Sequence, residues 1–192
     1  GPGPIKLALA GSATALALSS LVSMLILPDN NVMDQFRFWQ VGSVGRAEWD
    51  GIMGLLPFLL VGWILAFYLS SSLNVLALGD DIATGLGVKI VRTRFLAALA
   101  ASILCGSVTA IGGPIGFIGL MVPHLVQILI GHDIRWSMPI SALFGAILLT
   151  ASDVLGRVIA RPAEVEVGIV TAIIGAPILI WVSLRIKKGL GD

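Results

Sequence analysis

Long apolar runs separated by short polar stretches dominate the hydrophobic pattern of the chain. The longer runs cover residues 7–27, 52–69, 95–111, 136–152 and 167–184, and a short one covers residues 125–130. At about 1.5 Å per helical residue, the longer runs cross or nearly cross a hydrocarbon core of about 30 Å, whereas the short run cannot. The pattern therefore predicts an all-α integral membrane protein, a polytopic bundle of about six membrane helices.

The stretch from Gly112 to His124 interrupts this pattern without introducing any charge. It holds four glycines and two prolines in thirteen residues, and both residue types disfavour a helix interior. Non-helical backbone at membrane depth is tolerated only where protein or a water-filled cavity satisfies its polar groups. We therefore predict a re-entrant turn in this stretch. Its residues would be Gly113, Pro114, Gly116, Phe117, Gly119, Pro123 and His124.

The twelve lysines and arginines test this turn through their distribution. If the chain reverses at the turn, four of them lie on the outer face and the other eight on the opposite face. A single Pro-kinked helix would instead place six on each face. Because basic residues concentrate on the cytoplasmic side, the reversal is favoured and both termini are predicted to be cytoplasmic. The four outer residues would be Arg37, Arg46, Arg157 and Arg161.

Composition narrows the class of protein further. The chain is 57% hydrophobic and 12% charged, with a mean hydropathy of +1.00, which is typical of an integral membrane protein. A net charge of +1 leaves no basic face for a nucleic-acid partner. Residues 1–4 resemble an expression-tag remnant, and residues 5–192 are predicted to form a single transmembrane domain.

Two polar segments are long enough to have structure of their own. In the outer loop, residues 28–50, aromatic and charged side chains alternate from residue 34 to residue 41 and Gly42 follows, which predicts a short interfacial helix. The cytoplasmic loop, residues 70–94, predicts two short helices, the first capped by Asn74 and the second by Asp80. The exposed Leu and Ile residues of this loop would either dock a partner protein or fold back on the helix ends.

Four segments are similar to one known family. They are residues 73–88 (LNVLALGDDIATGLGV), residues 113–124, residues 153–157 and residues 163–177. Together, and in this order and spacing, they resemble the permease subunits of type II ABC importers, the FecCD family, which import iron siderophores, heme and vitamin B12. The resemblance extends over nearly the whole chain.

The resemblance implies a fold, partners and a location. The chain would be the last six helices of a ten-helix permease in the bacterial cytoplasmic membrane, surrounded by lipid. It would work with a second permease subunit, an ABC ATPase subunit dimer and an extracytoplasmic solute-binding protein. ATP and Mg²⁺ would bind in the ATPase partner, since this chain has no G-x-x-x-x-G-K-[ST] loop, and no catalytic residue, cofactor or metal is expected here. A ferric siderophore is the favoured substrate, with heme and cobalamin open.

The resemblance also implies roles for particular residues. One group would form the coupling loop that docks in the ATPase cleft: Leu78, Gly79, Asp80, Asp81, Ala83, Leu86 and Gly87. A second group would meet the binding protein at the outer surface: Arg157, Arg161 and Glu164. The hydroxyls of Ser12, Ser19 and Ser23 would line the translocation path, although close helix packing explains them equally well. Asp153 is more simply explained as the i, i+4 partner of Arg157.

Other classes of protein remain as alternatives. A secondary transporter driven by an ion gradient would use the broken helix as an ion site and is the main one. An intramembrane protease built on Ser107 and His124 would lack an activating third group. A metal site from His124, His132 and Asp133 is disfavoured because the chain turns between them.

Overall fold

The computed structural model describes the backbone of residues 4–45, 47–159, 161 and 165–189. Within these residues it is all helical, with no strand. The helices are α1 (Pro4–Ile26), α2 (Asn30–Val41), α3 (Trp49–Leu76), α4 (Asp80–Gly85), α5 (Ile90–Gly112), α6 (Ile118–Ile130), α7 (Ile134–Ile159) and α8 (Val167–Gly189). Pro4, expected to lie in a tag remnant, is the first residue of α1.

Four of these helices are long and apolar enough to cross a membrane: α1 from residue 8 onwards, α3, α5 and α7. Helix α6 and residues 167–180 of α8 are apolar but shorter. The prediction of an all-α, multi-pass membrane protein is thereby confirmed. The chain comprises two compact units, residues 1–40 and residues 41–192.

The first unit holds α1 and most of α2. The carboxylate of Asp29 accepts hydrogen bonds from the backbone N–H groups of Asn31 (2.9 Å) and Val32 (3.4 Å), which caps the first turn of α2. Helix α2 ends just before Gly42, whose φ of +79° suits glycine. The predicted helix in the outer loop is present, but it begins at Asn30 instead of residue 34 because Asp29 caps it earlier.

Small residues bring the helices of the second unit together. A Cβ atom on Gly62 of α3 would lie 2.7 Å from the side chain of Leu104 on α5, so these two helices pack more closely than any larger residue allows. Between α6, α7 and α8, the buried side chains of Met121, Val122 and Val126 form an apolar core. Ile140 and Leu148 of α7 and Ile178 and Leu179 of α8 pack around this core.

The predicted chain reversal is also confirmed. At one end of α5, the N–H of Ser43, which precedes α3, donates to the carbonyl of Gly112 at 2.8 Å. At the far end of α6, Asp133 is hydrogen-bonded to Asn74, near the end of α3. Helix α6 therefore runs back towards the end of the bundle from which α5 starts, and a single kinked helix is excluded.

The turn itself is shorter than predicted. Only residues 113–117 are non-helical, and Gly119, Pro123 and His124 lie inside α6. The carbonyl of Phe117 accepts hydrogen bonds from the N–H groups of Leu120 and Met121 and so starts the helix before Pro123. Pro123 then removes one helical hydrogen bond without ending α6, because a proline in an apolar helix is tolerated where neighbouring groups compensate. The short run at residues 125–130 is the last part of this helix.

Phe117 adopts an unusual backbone conformation at this turn. Its φ is +66°, a region that costs a non-glycine residue about 1–3 kcal/mol unless the surroundings hold it there. Its side chain packs against Gly175 of α8, where an added Cβ atom would lie 2.6 Å from the Cβ of Phe117. The absence of a side chain at Gly175 is what leaves room for the turn.

We predict that Gly175→Ala destabilises the protein by about 1–3 kcal/mol, because the new methyl group overlaps Phe117 and the strained turn has little freedom to move. The matched control is Gly106→Ala in α5, where an added Cβ would meet no atom within 4 Å. Thermal unfolding in detergent, followed by tryptophan fluorescence, should show a lower midpoint only for Gly175→Ala. Equal midpoints for the two variants would contradict the packing described here.

Candidate coupling and docking surfaces

Helix α4 forms the centre of the predicted coupling loop. The first of the two predicted short helices is not separate, because α3 continues through Leu76. The second is α4, and Gly87, one of the residues expected in the coupling loop, follows its end. The N–H of Gly87 donates to the carbonyl of Thr84 (3.0 Å) and the N–H of Val88 to that of Ala83 (2.9 Å), with Gly87 at a φ of +81°. This is the hydrogen-bond pattern of a Schellman motif, and it fixes the end of α4.

Large apolar side chains of this loop are exposed. Leu78 is 62% exposed, Ile82 52% and Leu86 65%. Ala83, expected to contact a partner, is instead fully buried within this chain because it lies on the face of α4 that packs against α3 and α5. The loop thus presents Leu78, Ile82 and Leu86, with the exposed Asp81, and we call these four residues the apolar loop surface.

Asp80 does not cap α4 as predicted. It is the first residue of the helix, and its carboxylate accepts hydrogen bonds from the guanidinium of Arg94 on α5 at 2.9 and 3.2 Å. Both side chains are more than half exposed, so the pair adds little stability. Its effect is to orient α4 relative to α5.

Asn74 also differs from its predicted role. It lies inside α3, and its side chain contacts the start of α7 instead of capping its own helix. The amide Nδ2 donates to Oδ1 of Asp133 at 2.6 Å, and the amide oxygen accepts from the backbone N–H of Ile134 at 2.8 Å. Beside it, the guanidinium of Arg135 donates to the hydroxyl of Ser71. We call these five residues the α3–α7 joint.

Asp133 precedes the first residue of α7 and caps it. Its Oδ1 accepts a second hydrogen bond, from the N–H of Arg135 at 3.0 Å. Two hydrogen bonds lower the pKa of the Asp133 carboxyl from its usual value. The one from the Asn74 amide contributes more, and the one from the Arg135 backbone contributes less. The sequence suggested that Asn74 sits at a helix end, but nothing in it indicated a contact with Asp133, 59 positions away.

Arg157, the first of the predicted docking residues, lies near the opposite end of α7. Asp153 and Arg157 form the expected i, i+4 ion pair, with Nε 2.9 Å from Oδ2 and the arginine side chain 45% exposed. The guanidinium of Arg157 also lies against the backbone of Gly45 in the outer loop. Arg161, four residues after Arg157 in the sequence, is exposed. Glu164 lies outside the described residues.

The serines predicted to line a path are exposed on α1. Two of these three serines donate hydrogen bonds to the backbone of their own helix: Ser12 to the carbonyl of Leu9 and Ser23 to that of Ser19, both at 2.9 Å. His124 behaves similarly in α6, where Nδ1 lies 2.7 Å from the carbonyl of Leu120. The role of the serines in translocation stays a prediction.

We predict that Asp133 contributes to stability in a pH-dependent way. Because folding lowers its pKa, its contribution is fully present above the ordinary aspartate value of about 3.9 and is lost as the pH falls through the lower, folded-state value. The thermal midpoint of Asp133→Asn should therefore lie below that of the unaltered protein at pH 7. The difference should shrink below about pH 3.9. A difference that persists unchanged in acid would show that the carboxylate is not the cause.

Comparison with known proteins shows the family of this chain. The probable siderophore transport system permease protein YfiZ of Bacillus subtilis is 42% identical over 96% of this chain and 56% of its own length. The ferric enterobactin transport system permease protein FepD of Escherichia coli is 45% identical over 97% of this chain and 55% of its own. The hemin transport system permease protein HmuU of Yersinia pestis is 39% identical over 95% and 55%. This chain thus spans a little over half the length of these relatives.

A solved structure agrees with the sequence comparison. A metal-chelate type ABC transporter, in an inward-facing conformation, superimposes with a TM-score of 0.82 at 30% identity, over 95% of this chain and 60% of that one. The sequence model of the FecCD transport family matches residues 1–185, a range that includes α4, the turn at residues 113–117 and the end of α7 that holds Arg157. The chain therefore belongs to the FecCD transport family.

Proposed function

We propose that this chain is part of the permease subunit of an ATP-binding cassette importer, which takes a ferric siderophore or a related metal chelate across the cytoplasmic membrane. The observation that carries the proposal is the apolar loop surface, which lies on α4 and on the residues beside it. The Gly87 motif fixes the end of α4, and the Asp80–Arg94 pair orients this helix relative to α5. The names of the relatives, which include permease proteins for siderophore, enterobactin and hemin transport, support the class of substrate.

The apolar loop surface would dock in a cleft of a partner ATPase. Three exposed Leu and Ile side chains in one short loop are costly in water and are typical of a protein contact. Because α4 ends at a fixed motif, it can act as a rigid element that passes nucleotide-driven closure to the helices it joins. ATP would bind in the partner, and this chain would contribute the mechanical connection.

The charges support an orientation for this arrangement. Lys89, Arg92, Arg94 and Arg135 lie at the same end of the bundle as α4, which favours a cytoplasmic position for the coupling loop. The outer end of α7, with Arg157, would then face a solute-binding protein. A second permease subunit would complete the translocation path, which lies between two permeases in the family that the sequence resembles.

We predict that the assembled transporter loses its ATPase when the apolar loop surface becomes charged. Leu86→Glu places a carboxylate in an apolar contact, and Asp81→Lys reverses a charge beside it. ATPase retained on the purified permease should fall at least tenfold in both variants, which corresponds to about 1.4 kcal/mol. The matched control is Asp34→Lys in α2, an equally exposed acid outside the loop.

If all these variants retain the same amount of ATPase, the ATPase does not bind at the apolar loop surface. If the unaltered protein binds no ATPase and uptake instead follows an ion gradient, the importer proposal fails and a secondary transporter takes its place.

We predict a smaller effect at the outer end. Arg157→Ala should weaken association with the solute-binding protein by no more than about fivefold, because an exposed ion pair contributes about 0–1 kcal/mol. Arg157→Glu should weaken it further, and added salt should partly restore this loss, since screening relieves the new repulsion. Surface plasmon resonance at several salt concentrations would measure both effects. Arg37→Glu on α2 is the control, and an equal effect there would contradict a specific role for Arg157.

A further inference from the structure

The α3–α7 joint lies close to the apolar loop surface but is separate from it. Asn74 is four residues before Leu78, and its hydrogen bonds lead away from α4 to the start of α7. We propose that Asn74 is a positioning residue that transmits displacement of the coupling loop to α7, by holding both the Asp133 carboxylate and the first backbone N–H of that helix. This inference rests on the proposed function, because the displacement would be caused by a bound ATPase.

The first step of the argument is that the contact requires an asparagine. The side chain donates a hydrogen bond to a carboxylate and accepts one from a backbone N–H, so it must present a donor and an acceptor side by side. An aspartate of the same shape would accept from Ile134 but would repel Asp133. An alanine would make neither bond.

The second step is that the contact acts on the backbone of α7. The first N–H groups of a helix have no partner within the helix. Asp133 satisfies the N–H of Arg135, while the N–H of Ile134 is satisfied from another helix, by Asn74. The hydrogen bond from Arg135 to Ser71 adds a second connection between α3 and α7. A shift of α3 at this level therefore pulls directly on the main chain of α7.

The third step is that α7 continues from the joint to the opposite end of the bundle. It runs from Ile134 to Ile159, 26 residues or about 39 Å as a helix. Ile140 and Leu148 fasten it to the buried core of α6, so these helices would move together. The Asp153–Arg157 pair lies near its outer end. The joint thus connects the proposed ATPase surface to the proposed docking surface through one continuous helix.

The test uses the complete transporter reconstituted with its ATPase and binding protein, and compares Asn74→Ala, the isosteric Asn74→Asp, and the chemically matched control Asn31→Ala on α2. For both Asn74 variants, we expect ATPase retention and basal ATP hydrolysis within twofold of the unaltered protein. Substrate transported per ATP hydrolysed should fall at least fivefold in both. Asn31→Ala should leave all three quantities unchanged.

A second readout follows movement at the outer end of α7. Ile159, the last residue of this helix, is 76% exposed, so an Ile159→Cys variant can be labelled with a membrane-impermeant maleimide after Cys105→Ser removes the native thiol. Trapping the ATPase with ATP and vanadate should change the labelling rate at least threefold when Asn74 is present. The change should disappear in Asn74→Ala, although vanadate still traps the ATPase. A residue that only stabilises the fold would not separate these two events.

Three results would overturn the inference. One is normal transport per ATP in both Asn74 variants. Another is a parallel loss of ATPase retention and transport, which would show a general folding role. The third is a vanadate-dependent change in labelling that survives Asn74→Ala. Failure of the unaltered permease to retain any ATPase is a different result, and it would reject the proposed function and, with it, this inference.

Discussion

The structure depends on one constraint, which is that backbone polar groups exposed where membrane helices end must find partners within the protein. Hydrogen bonds between backbone groups of separate segments meet this need at the end of the second unit that holds Gly42 and Gly112. Ser43 donates to Gly112 at 2.8 Å, and Gly168 donates to the carbonyl of Gly42 at 3.2 Å. These bonds connect the segment before α3 with the end of α5 and the start of α8. At the opposite end, the side chain of Asn74 serves the same purpose for α7.

Such bonds form only where main chains come very close together, and glycine permits this. A Cβ atom at Gly168 would overlap the carbonyl of Val41, and one at Gly156 would overlap the carbonyl of Val165. Each of these positions therefore excludes even alanine unless the backbone shifts. By helix propensity alone, these glycines would weaken their helices. In the folded protein they are the positions at which separate segments pack most closely.

The two ends of the second unit differ in how they present side chains. Near α4, large apolar groups are exposed beside a fixed helix end, as expected of a surface that receives a partner. At the end of α7 that holds Arg157, charged groups are exposed together with apolar ones such as Ile159, and Arg157 is already paired with Asp153. The former contact would contribute most of its free energy through apolar burial, whereas the latter would mainly orient a partner.

The sequence by itself determined the class of protein, the reversal of the chain and the position of the short helix α4. These follow from local properties: apolar run length, the distribution of basic residues, and the glycines that end α2 and α4. The sequence overestimated the length of the turn at residues 112–124. Helix propensity alone does not show that α6 starts after Phe117 and continues through Pro123.

Only the tertiary structure decided which side chains from separate helices meet. It buried Ala83 within this chain, paired Asp80 with Arg94, and joined Asn74 to Asp133 across 59 residues of sequence. Each of these contacts depends on how separate helices are positioned relative to one another. That positioning is set by the packing of many residues at once, and the local pattern around any single residue does not contain it.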